Sequence, residues 1–258
     1  VLLAYGAPYI ATTHIELRAR AIELNIETRS IHASSSLTSM IGECGLHFYK
    51  VGKIATIMSE MKSLTYPYYV IYKNIIEDNH TVLLLEYNQN KDFFLDPKDA
   101  LKGLLETEEG QGRKVLTESS YAIVASRIGF KDQAIVSGKI SSLAKIDFGK
   151  PPHTVIIPGR LHFTESDALK LFGQCIDEPF DNSEKTEKIS KQMMKKYVPM
   201  VREALEEIIP YYKNQKEFEV ILENAELYIE QAEIFLDEGR DENAILSIGY
   251  ADGLVDAL

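Results

Sequence analysis

Thr81-Val-Leu-Leu-Leu-Glu-Tyr87 is the stretch that decides the fold, because its short apolar run predicts a buried strand. The stretches that follow are helix-like at Pro97–Glu108 and strand-like again at Tyr121–Ser126. Strand-like and helix-like segments alternate in this way over residues 1–150. Such alternation indicates an α/β architecture, in which helices flank a parallel or mixed sheet.

The first 32 residues predict a strand–helix–strand unit. Val1–Tyr5 is typical of a buried strand, Ala11–Leu24 has apolar residues at helical spacing, and Glu27–His32 predicts a second strand. The turn Gly6-Ala7-Pro8 would then lie at the carboxyl end of the first strand, where open α/β sheets bind ligands. Because a buried strand needs neighbours on both sides, we expect the sequence to begin inside a domain, with an open sheet edge that favours dimers.

Further elements are predicted between residues 34 and 158. The serine run at 34–36 is typical of a helix N-cap, with Ser35 or Ser36 capping the helix that follows. The predicted helices are Ser36–Cys44 and Tyr69–Glu77, and the predicted strands are Lys53–Ile57 and Thr154–Pro158.

Beyond Asp181 the sequence changes character. Residues 183–258 carry 17 acidic and 9 basic side chains, and they show no strand pattern. Three stripes of apolar residues at helical spacing, separated by Pro210 and by Gly239-Arg240-Asp241, predict a three-helix bundle. Pro199 falls within the first stripe and is expected to kink or split that helix.

Charge and cysteine content exclude several classes of protein. The 39 acidic residues outnumber the 28 basic ones, and a net charge of -11 disfavours nucleic-acid binding. No apolar run reaches the roughly 18–20 residues that a membrane span needs. Two isolated cysteines, Cys44 and Cys175, argue against a disulfide scaffold and for a reducing cytoplasm.

No common catalytic motif stands out. The six histidines and two cysteines lack metal-ligand spacing, so no metal is predicted. Neither a Gly-x-Ser-x-Gly turn nor a Gly-x-Gly-x-x-Gly run occurs, and Cys44 is predicted to be a buried structural thiol. His153 follows Pro151-Pro152 at the start of a strand, a position that suits a structural histidine as well as a functional one.

Several sequence blocks resemble one family when they are taken together. They are Ala11-Thr-Thr-His-Ile-Glu-Leu-Arg18, Ile31-His-Ala33, Ser36–His47, His80-Thr-Val-Leu-Leu-Leu85, Asp147-Phe-Gly-Lys-Pro-Pro-His153 and Ile157-Pro-Gly-Arg-Leu-His162. Over about residues 1–172 the chain resembles the diphthine synthase family, in the tetrapyrrole-methylase-like class of S-adenosylmethionine-dependent methyltransferases. Residues 224–232 and 244–257 resemble an archaeal helical domain family of unknown function.

The resemblance implies where S-adenosyl-L-methionine would bind. The family's cofactor loop corresponds to Gly6-Ala7-Pro8 with Ile10, and its Ser-Ile pair corresponds to Ser36-Leu37. The strand-end carboxylate corresponds to Glu86, after Leu85, and two further family positions correspond to Ile128 and His153.

Three of these positions depart from the family pattern. Ala7 replaces an aspartate, Glu86 is one methylene longer than aspartate, and Ile128 is larger than the small residue usual there. We therefore expect weaker cofactor binding than in a family member with the usual residues. No catalytic residue is assigned.

The resemblance also implies an organisation and a partner. Residues 1–45 would be the remainder of an N-terminal methyltransferase lobe, 46–180 a C-terminal lobe and 183–258 an acidic helical bundle. The substrate would be the modified histidine of translation elongation factor 2, methylated on its amino group by a cytoplasmic homodimer that contacts neither membrane nor nucleic acid. Two alternatives stay open: a corrin or porphyrin methyltransferase, and a non-catalytic scaffold that binds a partner through the bundle.

Overall fold

The structure is a computed structural model that describes residues 2–4, 6–212 and 215–258. The chain divides into two compact units, Val1–Thr186 and Glu187–Leu258. Unit 1 is α/β and unit 2 is helical, so the predicted α/β architecture followed by a helical bundle is confirmed.

Unit 1 is built on one six-stranded mixed sheet in the order β1-β2-β7-β5-β6-β8. The strands of this sheet are β1 (Ala55–Ile57), β2 (Thr81–Leu85), β5 (Tyr121–Ser126), β6 (Ala134–Lys139), β7 (His153–Ile157) and β8 (Gln174–Cys175). Strands β3 (Tyr87–Asn88) and β4 (Phe93–Phe94) form a separate hairpin. The helices of unit 1 are α1 (His14–Glu23), α2 (Ser36–Glu43), α3 (Thr65–Ile76), α4 (Pro97–Gln111), α5 (Ile140–Leu143) and α6 (Phe163–Phe172), with 3-10 turns at Phe48–Lys50, Met61–Ser63, Gln89–Lys91 and Asn182–Lys185.

Both faces of the central strands are buried. Along β2, Val82 packs with α2 and α6 on one face, whereas Leu83 packs with α3 and α4 on the other. On β5, Ile123 and Val124 divide between the faces in the same way. Because successive strand residues point to opposite faces, a run that is apolar throughout is required here. The strand predictions at residues 81 and 121 are therefore confirmed.

Local signals set the helix ends. The side chain of Asp96 accepts a hydrogen bond from the backbone N–H of Lys98, and Pro97 opens α4 at a position where its missing N–H is harmless. Gly112 ends α4 in the left-handed conformation. Ser35 caps α2 as predicted, through its hydroxyl and the N–H of Leu37.

The predicted strand–helix–strand unit at the start of the chain is wrong. Val1 and Tyr5 lie outside the described residues, while residues 2–4 and 27–32 form no strand. Helix α1 is present but buries no residue, and no described residue before Ser35 is buried. Because a strand is stabilised only by pairing with a neighbour, apolar composition alone does not produce one here. The open strand edge expected from this unit therefore has no counterpart in residues 2–4.

Among the elements of unit 1 that were not predicted, two are six residues or longer, β6 and α6. Strand β6 has the sequence Ala-Ile-Val-Ser-Gly-Lys, in which the small and polar residues interrupt the apolar run. Helix α6 begins at Phe163 with a capping box formed by His162 and Glu165, and histidine is not a usual capping residue.

Unit 2 consists of three helices: α7 (Ile189–Tyr212), α8 (Lys216–Asp237) and α9 (Asp241–Asp256). Its described residues, 187–212 and 215–258, contain no strand. The expected split at Pro199 is wrong, because α7 runs as one helix through both Pro199 and Pro210. A kink at Pro199 stays a prediction. Pro199 is exposed, and the buried residues Val198 and Val201 beside it hold the helix in the bundle core.

Candidate functional site

The strand directions bring three of the predicted cofactor residues to one edge of the sheet. Strands β1, β2 and β5 run in the same direction and β7 runs against them. The place where β2 and β5 end and β7 begins, here called the site edge, therefore carries Glu86, Ile128 and His153. In the antiparallel pair of β5 and β7, Ser126 lies directly opposite His153.

His153 is oriented by its neighbours on this edge. Its Nδ1 lies 2.8 Å from the hydroxyl oxygen of the buried Ser126, and its ring meets the ring of Phe148 edge-on. Burial lowers the pKa of His153, although the carboxylates of Asp96 and Asp147 partly oppose that shift. The imidazole is therefore neutral near pH 7 and can accept a proton.

Glu86 follows β2 and connects it to the end of β1. One carboxylate oxygen, Oε2, accepts hydrogen bonds from both the backbone N–H and the hydroxyl of Ser59, each at 2.7 Å. These bonds lower the pKa of Glu86, so the carboxylate is ionised at neutral pH. Ser59 also lines a cavity of about 310 Å³, together with Ile57, Leu64 and Leu95.

Helix α2 carries Ser36 and Leu37 in its first turn, with Ser36 exposed. Leu37 is half-buried in the same apolar cluster as Ile128 and Leu84. At the other end of α2, the carboxylate of Glu43 accepts a 2.7 Å hydrogen bond from the Gln133 amide, whose own oxygen accepts from the N–H of Gly129. Helix α2 is thus tied to the loop that carries Ile128. Leu85 packs into the cluster on the opposite face of the sheet. The ring of His153 lies on that opposite face as well, because its contact Phe148 belongs to the same cluster.

The predicted cofactor loop, Gly6–Ile10, has its described contacts within the first 34 residues. The hydroxyl of Tyr9 lies 2.8 Å from Ser30 Oγ, and His14 Nδ1 lies 3.0 Å from the Pro8 carbonyl oxygen. Gly6 has a φ of 74° and lies against the carbonyl of Ser34, close to the start of α2. Gly6 and Pro8 line a cavity of about 730 Å³ formed by this segment, and that cavity includes neither Ile128 nor His153.

A buried carboxylate, Glu165, is the main polar centre that sequence reasoning missed. Its Oε1 accepts hydrogen bonds from His80 Nε2 (2.9 Å) and the His47 N–H (2.7 Å), and its Oε2 accepts from Lys50 Nζ (3.0 Å) and the His162 N–H (2.7 Å). Burial alone would raise the pKa of Glu165, but the bonds from His80, His162 and His47 outweigh it and lower the pKa well below its usual range.

The tautomer of His80 follows from its second contact. The backbone N–H of Gly159 donates to Nδ1 at 3.2 Å, so the ring proton is on Nε2, which donates to Glu165. The fully buried His80 precedes β2, while Gly159 follows β7. The network therefore fastens the two strands at the end opposite the site edge. In the sequence, the partners His47, His80 and His162 all lie in blocks that carry the family resemblance. That shared feature could have pointed to the network, although the resemblance gave these histidines no role.

Other candidates are structural. Cys44 is fully buried in the core, as predicted, and burial raises the pKa of its thiol to about 12. Within the described ranges no group of three or more histidine, cysteine or acidic side chains is arranged to hold a metal ion. The helices of those ranges include none long and apolar enough to cross a membrane.

Comparison with known proteins assigns the two units to different families. Residues 1–144 match the family of tetrapyrrole (corrin/porphyrin) methylases, and residues 196–258 match DUF357, a family of unknown function. A diphthine synthase from Methanococcus maripaludis (strain C5) is 39% identical over 178 residues, 68% of this chain and 69% of that protein. The diphthine synthase of Methanocaldococcus jannaschii is 38% identical over 180 residues, 68% of this chain and 70% of that protein.

Solved structures agree with this assignment. A crystal structure of diphthine synthase has a TM-score of 0.58 at 32% identity and covers 66% of this chain, which spans 64% of that one. A structure of a putative diphthine synthase from Entamoeba histolytica also has a TM-score of 0.58, at 30% identity, over 65% of this chain and 68% of the other. The chain therefore belongs to the tetrapyrrole methylase family of S-adenosylmethionine-dependent methyltransferases, among the diphthine synthases.

Proposed function

We propose that this chain is a diphthamide-biosynthesis methyltransferase that transfers a methyl group to the amino group of the modified histidine on translation elongation factor 2. The observation that carries the proposal is the placement of Glu86, Ile128 and His153 at one sheet edge, where Ile128 packs against the same apolar cluster as Leu37. The names of the curated relatives support the same reaction. We further infer that the protein acts in the cytoplasm and as a homodimer.

The residues at the site edge suit S-adenosyl-L-methionine in kind. The cofactor supplies a methyl group on a positively charged sulfur, and it has apolar parts beside hydrogen-bonding groups. Leu37 and Ile128 offer apolar contact, while the Glu86 carboxylate and the His153 ring offer polar contact. A mostly apolar site with a few fixed polar groups is typical of small-molecule binding.

Each polar residue has a distinct expected role. Glu86 uses only Oε2 for its two bonds to Ser59, so its other oxygen, Oε1, is expected to accept from a hydroxyl or ammonium group of the cofactor. His153 is expected to take the proton that the attacking amine must lose, because its lowered pKa keeps the ring neutral. Ile128 is expected to limit the width of the site and to weaken cofactor binding.

Two measurements on the full chain test the proposal. Titration calorimetry with S-adenosylmethionine should give a binding heat, and elongation factor 2 carrying the unmethylated precursor should gain mass in steps of one methyl group. E86Q should weaken cofactor binding by roughly ten- to a hundredfold, because it removes one charge-assisted hydrogen bond. E178Q, on an exposed surface pair with Lys170, is the matched control and should leave both measurements unchanged.

A second candidate function is a non-catalytic scaffold. Ala7 supplies no carboxylate to the cofactor loop, and that loop lies in a segment with no buried residue among those described before Ser35. Absence of both cofactor binding and methyl transfer in the well-folded chain would favour the scaffold and contradict the methyltransferase proposal.

A further inference from the structure

Unit 2 presents an apolar surface that its own core does not use. We call it the α8–α9 surface and define it by five exposed residues: Val220 (62% exposed), Leu227 (47%), Ile234 (54%), Leu246 (58%) and Tyr250 (57%). The first three follow one another at intervals of seven residues along α8. Seven residues make nearly two helical turns, so these side chains form one stripe along the helix.

The stripe lies on the side of α8 that faces away from the bundle core. The core side of α8 carries Ala225, Ile229 and Ala232, all fully buried. At 100° per residue, Leu227 is displaced from Ile229 by roughly 160°, close to the opposite side of the helix. Packing within unit 2 therefore does not explain why the stripe is apolar.

Helix α9 extends the surface. The rings of Tyr228 and Tyr250 stack with centroids 5.6 Å apart, which joins the exposed side of α9 to α8. Gly249 and Gly253 lie on the exposed side of α9, and no heavy atom lies within 4 Å of where a β-carbon would stand on either of them. Small residues allow the backbone of a second helix to approach closely.

The charge around this surface is mainly negative. Helix α8 has seven acidic residues and one lysine, and α9 has four acidic residues and no basic one. Helix α7, by contrast, has four basic and three acidic residues. Glu223 and Glu230 stand one turn before and after Leu227, and both are exposed without an ion pair among the described residues. The stripe is thus bordered by two carboxylates for which the described part of unit 2 provides no cationic partner.

The apolar stripe and the acidic residues beside it together indicate which kind of partner can bind. A second copy of the bundle would bring acidic surface against acidic surface, and nucleic acids and anionic lipids are repelled in the same way. A helix with apolar residues every three to four positions and lysine or arginine beside them satisfies both the stripe and the carboxylates. We propose that the α8–α9 surface binds a basic amphipathic helix of another protein. This inference rests on unit 2 alone and is independent of the proposed methyl transfer.

The test uses the full chain and three synthetic helical peptides of equal length. The first has leucines at heptad spacing flanked by lysines, the second has glutamates in place of the lysines, and the third keeps the lysines but replaces the leucines with serines. Fluorescence anisotropy should show binding of the first peptide only, and this binding should weaken at least fivefold between low salt and 0.5 M salt, since screening acts on exposed charges.

Substitutions locate the binding surface. L227Q and I234Q should each weaken binding of the first peptide by roughly tenfold, because each removes a partly buried aliphatic contact. M200Q, which replaces an exposed apolar residue of α7, is the matched control and should bind as the unchanged protein does. Circular dichroism checks that the variants keep their helices.

Three outcomes would overturn the proposal. Equal binding of the lysine and serine peptides would mean that charge alone is recognised. Unchanged binding by both L227Q and I234Q would place the contact elsewhere. Concentration-dependent dimerisation of the chain that L227Q abolishes would show that a second copy occupies the surface instead.

Discussion

Replacing Glu165 by glutamine should strongly destabilise unit 1. Each carboxylate oxygen of Glu165 accepts two hydrogen bonds, one pair from His47 and His80 and the other from Lys50 and His162. A glutamine side chain keeps one oxygen and presents an NH₂ group to the other two donors, whichever way it is turned. Two bonds to a charged acceptor are lost, at about 1.5–3 kcal/mol each. We expect E165Q to lower the free energy of unfolding by about 3–5 kcal/mol, as for other broken buried ion pairs.

Urea denaturation measures this loss. Unit 1 should unfold at lower urea in E165Q, while the transition of unit 2 serves as an internal reference. E178Q is the matched control, because Glu178 is exposed and its surface pair with Lys170 should contribute little to stability. An E165Q protein whose unit 1 unfolds within about 1 kcal/mol of the unchanged protein would refute the account of this network.

Three further predictions concern stability. Because the pKa of Glu165 is lowered in the folded state, the chain should lose stability as the pH falls below the unfolded value of about 4.3, and an acid titration of E165Q should show a shallower loss. P199A should raise the unfolding free energy of unit 2 by about 1–3 kcal/mol in urea and more than P210A does, because Pro210 lies in the last turn of α7. G45A should lower the thermal midpoint of unit 1, at a cost of about 2–4 kcal/mol, since Gly45 has a φ of 69° and a β-carbon there would lie 2.2 Å from Cβ of Ala168; equal midpoints would contradict it.

An element of the fold could be predicted from the sequence when the interactions that stabilise it involve residues close together in the chain. Most of the longer helices and the largely buried strands β2 and β5 were predictable, because periodicity and capping are local properties. The strand expected at Val1–Tyr5 is as rich in apolar residues as β2, yet residues 2–4 form no strand. Whether an apolar run becomes a strand is decided by pairing, which is not local. The continuity of α7 through Pro199 is likewise decided by the packing of Val198 and Val201.

The candidate site divides in the same way. Glu86 and Ile128 were selected by resemblance alone, whereas His153 was also noted for its place after Pro151-Pro152. Their placement at one edge follows from the antiparallel placement of β7, which no local pattern contained. Their role in cofactor binding stays a prediction. Glu165 could not have been found by composition, because a glutamate at the third position of a helix is ordinarily a solvent-exposed capping residue. Only the loops carrying His47 and His80 bury it.

Glu86 and Glu165 lie at opposite ends of β2 and interact only weakly through space. Glu86 follows the strand and Glu165 binds the histidine that precedes it, so the strand rise separates them by roughly 16–20 Å. At that distance two unit charges interact by about 1 kcal/mol at an effective dielectric constant of about 20, which is less than the hydrogen bonds of Glu165 contribute together. A charge change at the site edge therefore has little effect on the anchoring network. Side chains at the site edge can accordingly diversify among relatives without loosening the fold that presents them.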